Sequence, residues 1–185
     1  MTRRHSSELK EKILTQSTLV LGGAASGKSA WAEAFLENDG RPMVYLATGR
    51  ILDDEVAQKV AVHKKRRDAR WRTIEAPLDL APALAGVTGD ECVLIDCATM
   101  WLSNHMMEGS DLLPAREALL TALRGCAAPW VIVSNEVGHG IVPDNALARQ
   151  FREAQGRLNI ALAQEAALVV QVTAGLPLVL KGHLP

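Results

Sequence analysis

Short apolar runs recur along the chain, and helix-patterned polar stretches fill the gaps between them. Thr18–Leu21, Met43–Ala47, Cys92–Ile95, Trp130–Val133 and Leu168–Val172 are almost unbroken apolar runs. Runs of this kind mark strands of a parallel sheet covered on both faces. Trp71–Glu75 alternates and predicts a further short strand, and Leu178–Leu180 one more. A helix is predicted over Ser29–Glu37, with Trp31, Ala34 and Phe35 turned inward and Asn38-Asp39-Gly40 ending it. Asp53-Asp54-Glu55 opens another helix, whose Val56, Val60 and His63 share one face. Further helices are predicted from Pro77 through Leu84, over Thr99–Met106, from the cap Asp111 through Arg124, and from Asp144 to Glu165. Ser134–Pro143 reads as a loop. Strands alternate with helices throughout, so the expected fold is α/β, a mostly parallel sheet with helices on both faces. Residues 1–16 form a polar N-terminal extension, and 17–185 a single domain.

Composition narrows the function classes. A chain of 185 residues with 48% apolar content can bury one sizeable core. A net charge of −1 gives no general attraction to nucleic acid or an anionic membrane. The three cysteines, Cys92, Cys97 and Cys126, contain no C-x-x-C pair, which fits a reducing compartment better than a disulfide scaffold or a zinc site. No run of about 18 apolar residues exists to span a membrane, and Met1–Lys12 lacks the apolar segment of a signal peptide. A cytoplasmic location is therefore expected.

The strongest chemical signal follows the first strand. Gly22-Gly23-Ala24-Ala25-Ser26-Gly27-Lys28-Ser29 fits G-x-x-x-x-G-K-S, the phosphate-binding loop. Its glycines let successive N–H groups turn onto phosphate oxygens, and the following helix points its positive end at the same anion. Lys28 adds a full charge at the outer phosphates, and the Ser29 hydroxyl can ligate Mg²⁺. This loop makes the expected fold P-loop NTPase-like, of the RecA-like kind. In such sheets ligands bind beyond the carboxyl ends of the strands. Thr48, Asp96 and Asn135-Glu136 all fall at such ends. Asp96, closing a buried strand, is the candidate second magnesium ligand, with a helix cap as its plainer role.

His63 admits two readings. A lone histidine completing an apolar stripe is usually core. Yet Lys64-Lys65-Arg66-Arg67 follow it directly. Four cations in a row cover every side of a helix, so at least one faces inward or toward a ligand. Neutral imidazole attacks phosphorus well, and nearby cations both favour the unprotonated ring and stabilise a departing pyrophosphate. Glu75 and Glu136 could each orient a hydroxyl or a base. His5, His105, His139 and His183 have no partner pattern and read as structural or solvated.

Taken together, these blocks resemble a known family. From Thr18 to Lys181 the chain is similar to the bifunctional adenosylcobinamide kinases / adenosylcobinamide-phosphate guanylyltransferases of cobalamin biosynthesis. The resemblance is carried by the phosphate loop, Tyr45-Leu46-Ala47-Thr48-Gly49, Ile51-Leu52-Asp53-Asp54-Glu55 and His63-Lys64 with Trp71-Arg72-Thr73-Ile74-Glu75. Leu94-Ile95-Asp96-Cys97, Trp101-Leu102-Ser103-Asn104 and Ser134-Asn135-Glu136-Val137-Gly138-His139-Gly140 continue it, as do Ala148-Arg149-Gln150-Phe151-Arg152 and Gly156-Arg157-Leu158-Asn159. It implies that a nucleoside triphosphate, ATP or GTP, phosphorylates adenosylcobinamide. GTP then gives GMP to a histidine, and GMP passes on to adenosylcobinamide phosphate. The guanylylated histidine falls on His63. The nucleotide contacts fall on Gly22–Ser29, Ala47, Thr48, Gly49, Lys64, Lys65, Arg66, Arg67, Glu75 and Asp96. Mg²⁺ and a homotrimer are also implied. The chain departs from the family pattern at Ala25, where relatives commonly carry Arg, and in its longer lead-in. The competing readings are a P-loop kinase of another small metabolite, with no covalent intermediate, and a RecA-type nucleotide switch or motor.

Overall fold

The computed structural model describes residues 17–50 and 68–185. Within these lies a seven-stranded sheet in the order β3-β2-β4-β5-β1-β6-β7. The strands are β1 (Thr18–Gly22), β2 (Met43–Ala47), β3 (Trp71–Glu75), β4 (Cys92–Asp96), β5 (Trp130–Asn135), β6 (Leu168–Thr173) and β7 (Leu176–Lys181). β1 to β6 run parallel to their neighbours, and only β7 is antiparallel, folded back on β6. The five helices described are α1 (Lys28–Glu37), α2 (Ala81–Ala85), α3 (Ala98–Met107), α4 (Leu112–Arg124) and α5 (Ala146–Glu165).

The apolar runs are buried because each central strand is covered twice. Val20, Val131, Val133 and Val170 meet Ala32, Phe35 and Leu36 of α1 on one face. Leu19, Ile95, Ile132 and Val169 meet Leu84, Trp101, Leu119 and Leu162 from α2 to α5 on the other. Burying each such side chain contributes about 1.5–3 kcal/mol. The expected α/β fold with helices on both faces is thus the one observed.

Several boundaries differ from expectation. In α1 the buried stripe is Ala32, Phe35 and Leu36, at helical spacing, and Ala34 faces solvent. Trp31 is half-buried and stacks on Phe35 with ring centroids 4.9 Å apart. The helix expected from Pro77 starts only at Ala81, because the Pro77 and Leu78 carbonyls accept side-chain hydrogen bonds from Asn104 and Trp101. Ser134 and Asn135 belong to β5 rather than to a loop. α5 starts at Ala146, since Asn145, not Asp144, is the cap, accepting from the Ala148 N–H at 3.1 Å. Asp111 caps α4 as expected, accepting from the Leu113 N–H. The predicted helix with Val56, Val60 and His63 lies outside the described residues.

Candidate active site

The phosphate loop is held from beneath by the far edge of the sheet. β6 and β7 are joined by Ala174 and Gly175, both with positive φ (52° and 78°), the geometry of a two-residue hairpin turn. The Gly175 N–H donates to the Ser26 carbonyl at 2.8 Å. Gly27 sits against this turn at φ 91°, and a Cβ there would stand 3.1 Å from Gly175 Cα. Two chain segments about 150 residues apart in sequence therefore lock one loop.

The loop leaves its donors for an anion. Gly27 provides no side-chain cap for α1, and the first turn carries no acidic residue. The first-turn N–H groups thus lack the usual internal partner, and the positive end of the helix faces the rim uncompensated. Lys28 folds over the loop and donates from Nζ to the Gly23 carbonyl at 3.1 Å. That carbonyl is a neutral acceptor, which phosphate oxygens can replace with a stronger, charge-assisted bond. Ala25 is exposed and has φ 53°, a left-handed conformation that costs a non-glycine residue about 1–2 kcal/mol.

Asp96 ends β4 on the same face of the sheet. It continues the row of Cys92 and Leu94, which pack beneath α1. The Tyr45 hydroxyl donates to its Oδ2 at 3.0 Å. The peptide bond from Asp96 to Cys97 is cis. Thr48 braces this point. Its Oγ1 accepts from the Cys97 N–H and donates to the Cys97 carbonyl, both at 2.8 Å. The Thr48 side chain is therefore engaged within the fold, and its carbonyl accepts from Asn104 Nδ2 at 2.7 Å. Gly49 follows, half-buried. Ala47 lies in register with both Asp96 and the exposed Glu75.

Asn104 is a residue whose role spacing alone did not reveal. It is buried on α3, and the same Nδ2 also donates to the Pro77 carbonyl at 2.9 Å. It ties the segment after β2 to the segment after β3. Asn104→Ala is expected to leave two carbonyls without their donor and to cost about 2–4 kcal/mol. Thermal unfolding should then begin roughly 4–16 °C lower for a chain of this size. An unchanged melting curve would show that the two segments hold themselves.

Polar residues of β5 and α5 form a second buried group. Ser134 Oγ donates to Asn159 Oδ1 at 2.6 Å, and Gln155 Nε2 donates to both Ser134 Oγ and Asn159 Oδ1. Glu136, beyond β5, donates its N–H to the Gly22 carbonyl at 3.0 Å, while its Oε1 accepts from the Gly138 N–H. The expectation that Glu136 orients a substrate hydroxyl thus meets a carboxylate already capping its own turn.

Burial pushes the Cys92 thiol up to about 12 and the Cys97 thiol to about 11, and Cys126 is raised by the same cause. None of the three is a nucleophile near neutral pH. His105 leans on the Trp101 ring at 4.4 Å, whereas His139 and His183 are exposed. His63, Lys64, Lys65, Arg66 and Arg67 fall outside the described residues.

The loop, the half-buried carboxylate at the end of β4 and the sheet order define an α/β protein of the P-loop NTPase kind. An ATPase from the type III secretion system of pathogenic bacteria has the same fold. The TM-score is 0.58 at 10% identity, over 86% of this chain and 51% of that one. The cobinamide kinase / cobinamide phosphate guanyltransferase profile matches residues 18–180, and the chain belongs to that family. The bifunctional adenosylcobalamin biosynthesis protein CobP of Pseudomonas aeruginosa is 41% identical over 89% of this chain and 97% of its own length. The corresponding protein CobU of Escherichia coli is 38% identical over 88% of this chain and 98% of its own. The chain is thus a bifunctional kinase and guanylyltransferase of cobalamin biosynthesis. Among the described residues, no helix is long and apolar enough to cross a membrane.

Proposed function

We propose that the enzyme phosphorylates adenosylcobinamide from ATP or GTP and then guanylylates adenosylcobinamide phosphate through a GMP adduct on His63. The observation that carries this reading is a phosphate loop with an uncapped helix behind it and Lys28 poised above it, in a chain of this family. In the first reaction the substrate hydroxyl oxygen forms a bond to the γ-phosphorus, and the bond from that phosphorus to the β-bridging oxygen breaks. The loop N–H groups and Lys28 hold the polyphosphate and stabilise charge on the leaving nucleoside diphosphate.

In the second reaction a His63 ring nitrogen bonds to the α-phosphorus of GTP and pyrophosphate leaves. A phosphate oxygen of adenosylcobinamide phosphate then displaces the histidine, giving adenosylcobinamide-GDP and the free ring. Lys64, Lys65, Arg66 and Arg67 supply the positive charge that the departing pyrophosphate requires. Ala47, Thr48, Gly49, Glu75 and Asp96 complete the nucleotide site. The two reactions act at different phosphorus atoms, so the nucleotide or the acceptor must be placed differently for each.

The donors at the rim fit magnesium. Ser29 and Asp96 offer hard oxygen ligands, and Mg²⁺ is usually held by one or two protein oxygens together with substrate phosphates. When bound there, Mg²⁺ would neutralise charge on the phosphate oxygens. We place the enzyme in the cytoplasm, acting on small molecules as a homo-oligomer, a trimer by family resemblance. Exposed Leu176, Leu178 and Leu180 on the edge strand β7 support a partner surface.

Incubation with GTP labelled at the α-phosphate tests the reading. Acid-labile, alkali-stable label should remain on the wild-type protein and be absent from folded His63→Ala. Label transfer from the γ-phosphate to a hydroxyl, with no protein adduct at any time, would instead establish a simple kinase. Nucleotide hydrolysis indifferent to cobinamide and stimulated by a macromolecule would establish a switch or motor.

A further inference from the structure

The chain between β5 and α5 is braced along its length and yet holds apolar side chains out in water. Glu136 starts it, with its N–H on the Gly22 carbonyl at 3.0 Å and its carboxylate on the Gly138 N–H. The Arg152 guanidinium donates to the carbonyls of both Gly138 and Ile141, and that of Arg149 to the carbonyls of Pro143 and Asp144. Both arginines stand on the first two turns of α5, and Asn145 caps the same helix. Two side chains thus hold four main-chain carbonyls, which fixes an exposed loop without burying it. What the loop displays is apolar. Ile141 is 97% exposed, Val142 68%, and Leu147, in the first turn of α5, 63%.

Position ties this ledge to the phosphate loop. One guanidinium spans the Gly138 and Ile141 carbonyls, so the chain doubles back and Ile141 stays near Gly138. Gly138 is itself turned onto Glu136, whose N–H holds the first residue of the phosphate loop. A substrate whose hydroxyl meets the polyphosphate at this rim therefore has the rest of its bulk within reach of the ledge. Single exposed apolar side chains need no explanation. Two adjacent β-branched ones, held out on a braced loop at the rim, do. Three side chains fall far short of the roughly 20–30 residues a side that a stable protein interface takes. The charged groups of Glu136, Arg149 and Arg152 are engaged with the loop's own main chain, so the ledge does not offer them to an anionic ligand.

We propose that Ile141, Val142 and Leu147 seat the corrin macrocycle of the substrate while its hydroxyl is phosphorylated. A corrinoid is large, and its rim carries methyl groups beside uncharged carboxamide arms. Such a ligand gains most from apolar contact and little from fixed charge. The ledge supplies that contact at small entropic cost, because β-branched side chains have little χ1 freedom to lose and the loop is already fixed. Contacts this far from the reacting atoms bind ground state and transition state alike, so they set KM and leave kcat alone. The inference rests on the corrinoid reading of the substrate and adds the surface that recognises it.

Steady-state phosphorylation of adenosylcobinamide at saturating GTP tests it, together with GTP affinity and with the melting temperature and sedimentation of each unliganded protein. Ile141→Asn should raise KM for the corrinoid roughly tenfold, the share of one apolar side chain withdrawn from water. Its kcat, GTP affinity, melting temperature and sedimentation should stay at wild-type values. Ile141→Leu should bring KM back close to wild type. Ile160→Asn, exposed on α5 toward its other end, should match wild type throughout. An unchanged KM in Ile141→Asn would overturn the proposal. A smaller assembly in that variant would overturn it too, by showing that the loop meets a second copy. So would parallel losses of GTP and corrinoid affinity, the mark of a segment that only supports the phosphate loop. A wild-type protein that binds GTP but phosphorylates no corrinoid would overturn the substrate reading, and the inference with it.

Discussion

Gly22→Ala is expected to disable the loop and destabilise the fold together. A Cβ at Gly22 would stand 2.4 Å from Ser26 Oγ and 2.7 Å from the Val172 carbonyl oxygen. The serine hydroxyl can rotate away. The carbonyl cannot, because β6 is paired with β1 on one side and β7 on the other. Relief must come from parting β1 and β6 or lifting the loop, at a cost of about 1–3 kcal/mol for overpacking. That corresponds to a melting temperature roughly 2–12 °C lower, with nucleotide binding lost because the loop's N–H groups no longer converge. Gly23→Ala is the control. A Cβ there meets nothing within 4 Å, and the backbone has no positive φ. Its melting temperature should match wild type. Calorimetry of the two variants beside wild type checks the claim, and equal stability for Gly22→Ala would mean that the loop rides free of the sheet.

Lys28→Ala should have the larger effect on activity and almost none on folding. Among the described residues Nζ makes a single hydrogen bond, to a carbonyl of its own loop, so its removal costs stability about 1 kcal/mol or less. In the reaction proposed above, the same ammonium would face charge that grows on the β- and γ-phosphate oxygens. Removing one preorganised donor of this kind costs about 10²–10³ in kcat. Lys28→Arg should not restore it, since the planar guanidinium cannot occupy the point position of an ammonium curled over the loop. Steady-state phosphorylation of cobinamide measures this directly. Kinase turnover within a few-fold of wild type in Lys28→Ala would remove the loop from the chemistry.

Legibility differed from element to element for physical reasons. β1, β2, β4 and β5 announce themselves because a doubly covered strand needs apolar residues at nearly every position. β3 is an edge strand and half exposed, so only its alternation betrayed it. β7 is exposed along its whole length, and its apolar residues said strand without saying which direction it ran. The direction follows from Ala174-Gly175, a turn too short for any crossover. The inward face of α1 was misread at Ala34 because a helix rich in small residues has a weakly marked stripe, and its rotation is settled by the strands beneath.

The sequence by itself determined the alternating fold, the phosphate loop, the carboxylate at the end of β4 and the family. Each of these is local, a matter of which residue types follow one another. Only the tertiary structure decided that the β6–β7 turn braces the loop, that Asn104 joins the segments after β2 and β3, and that Asn135 lies beside Gly22. Those contacts join positions tens to more than a hundred residues apart. Hydrogen bonds and close approaches across such distances depend on strand order and register, which spacing along a chain does not encode.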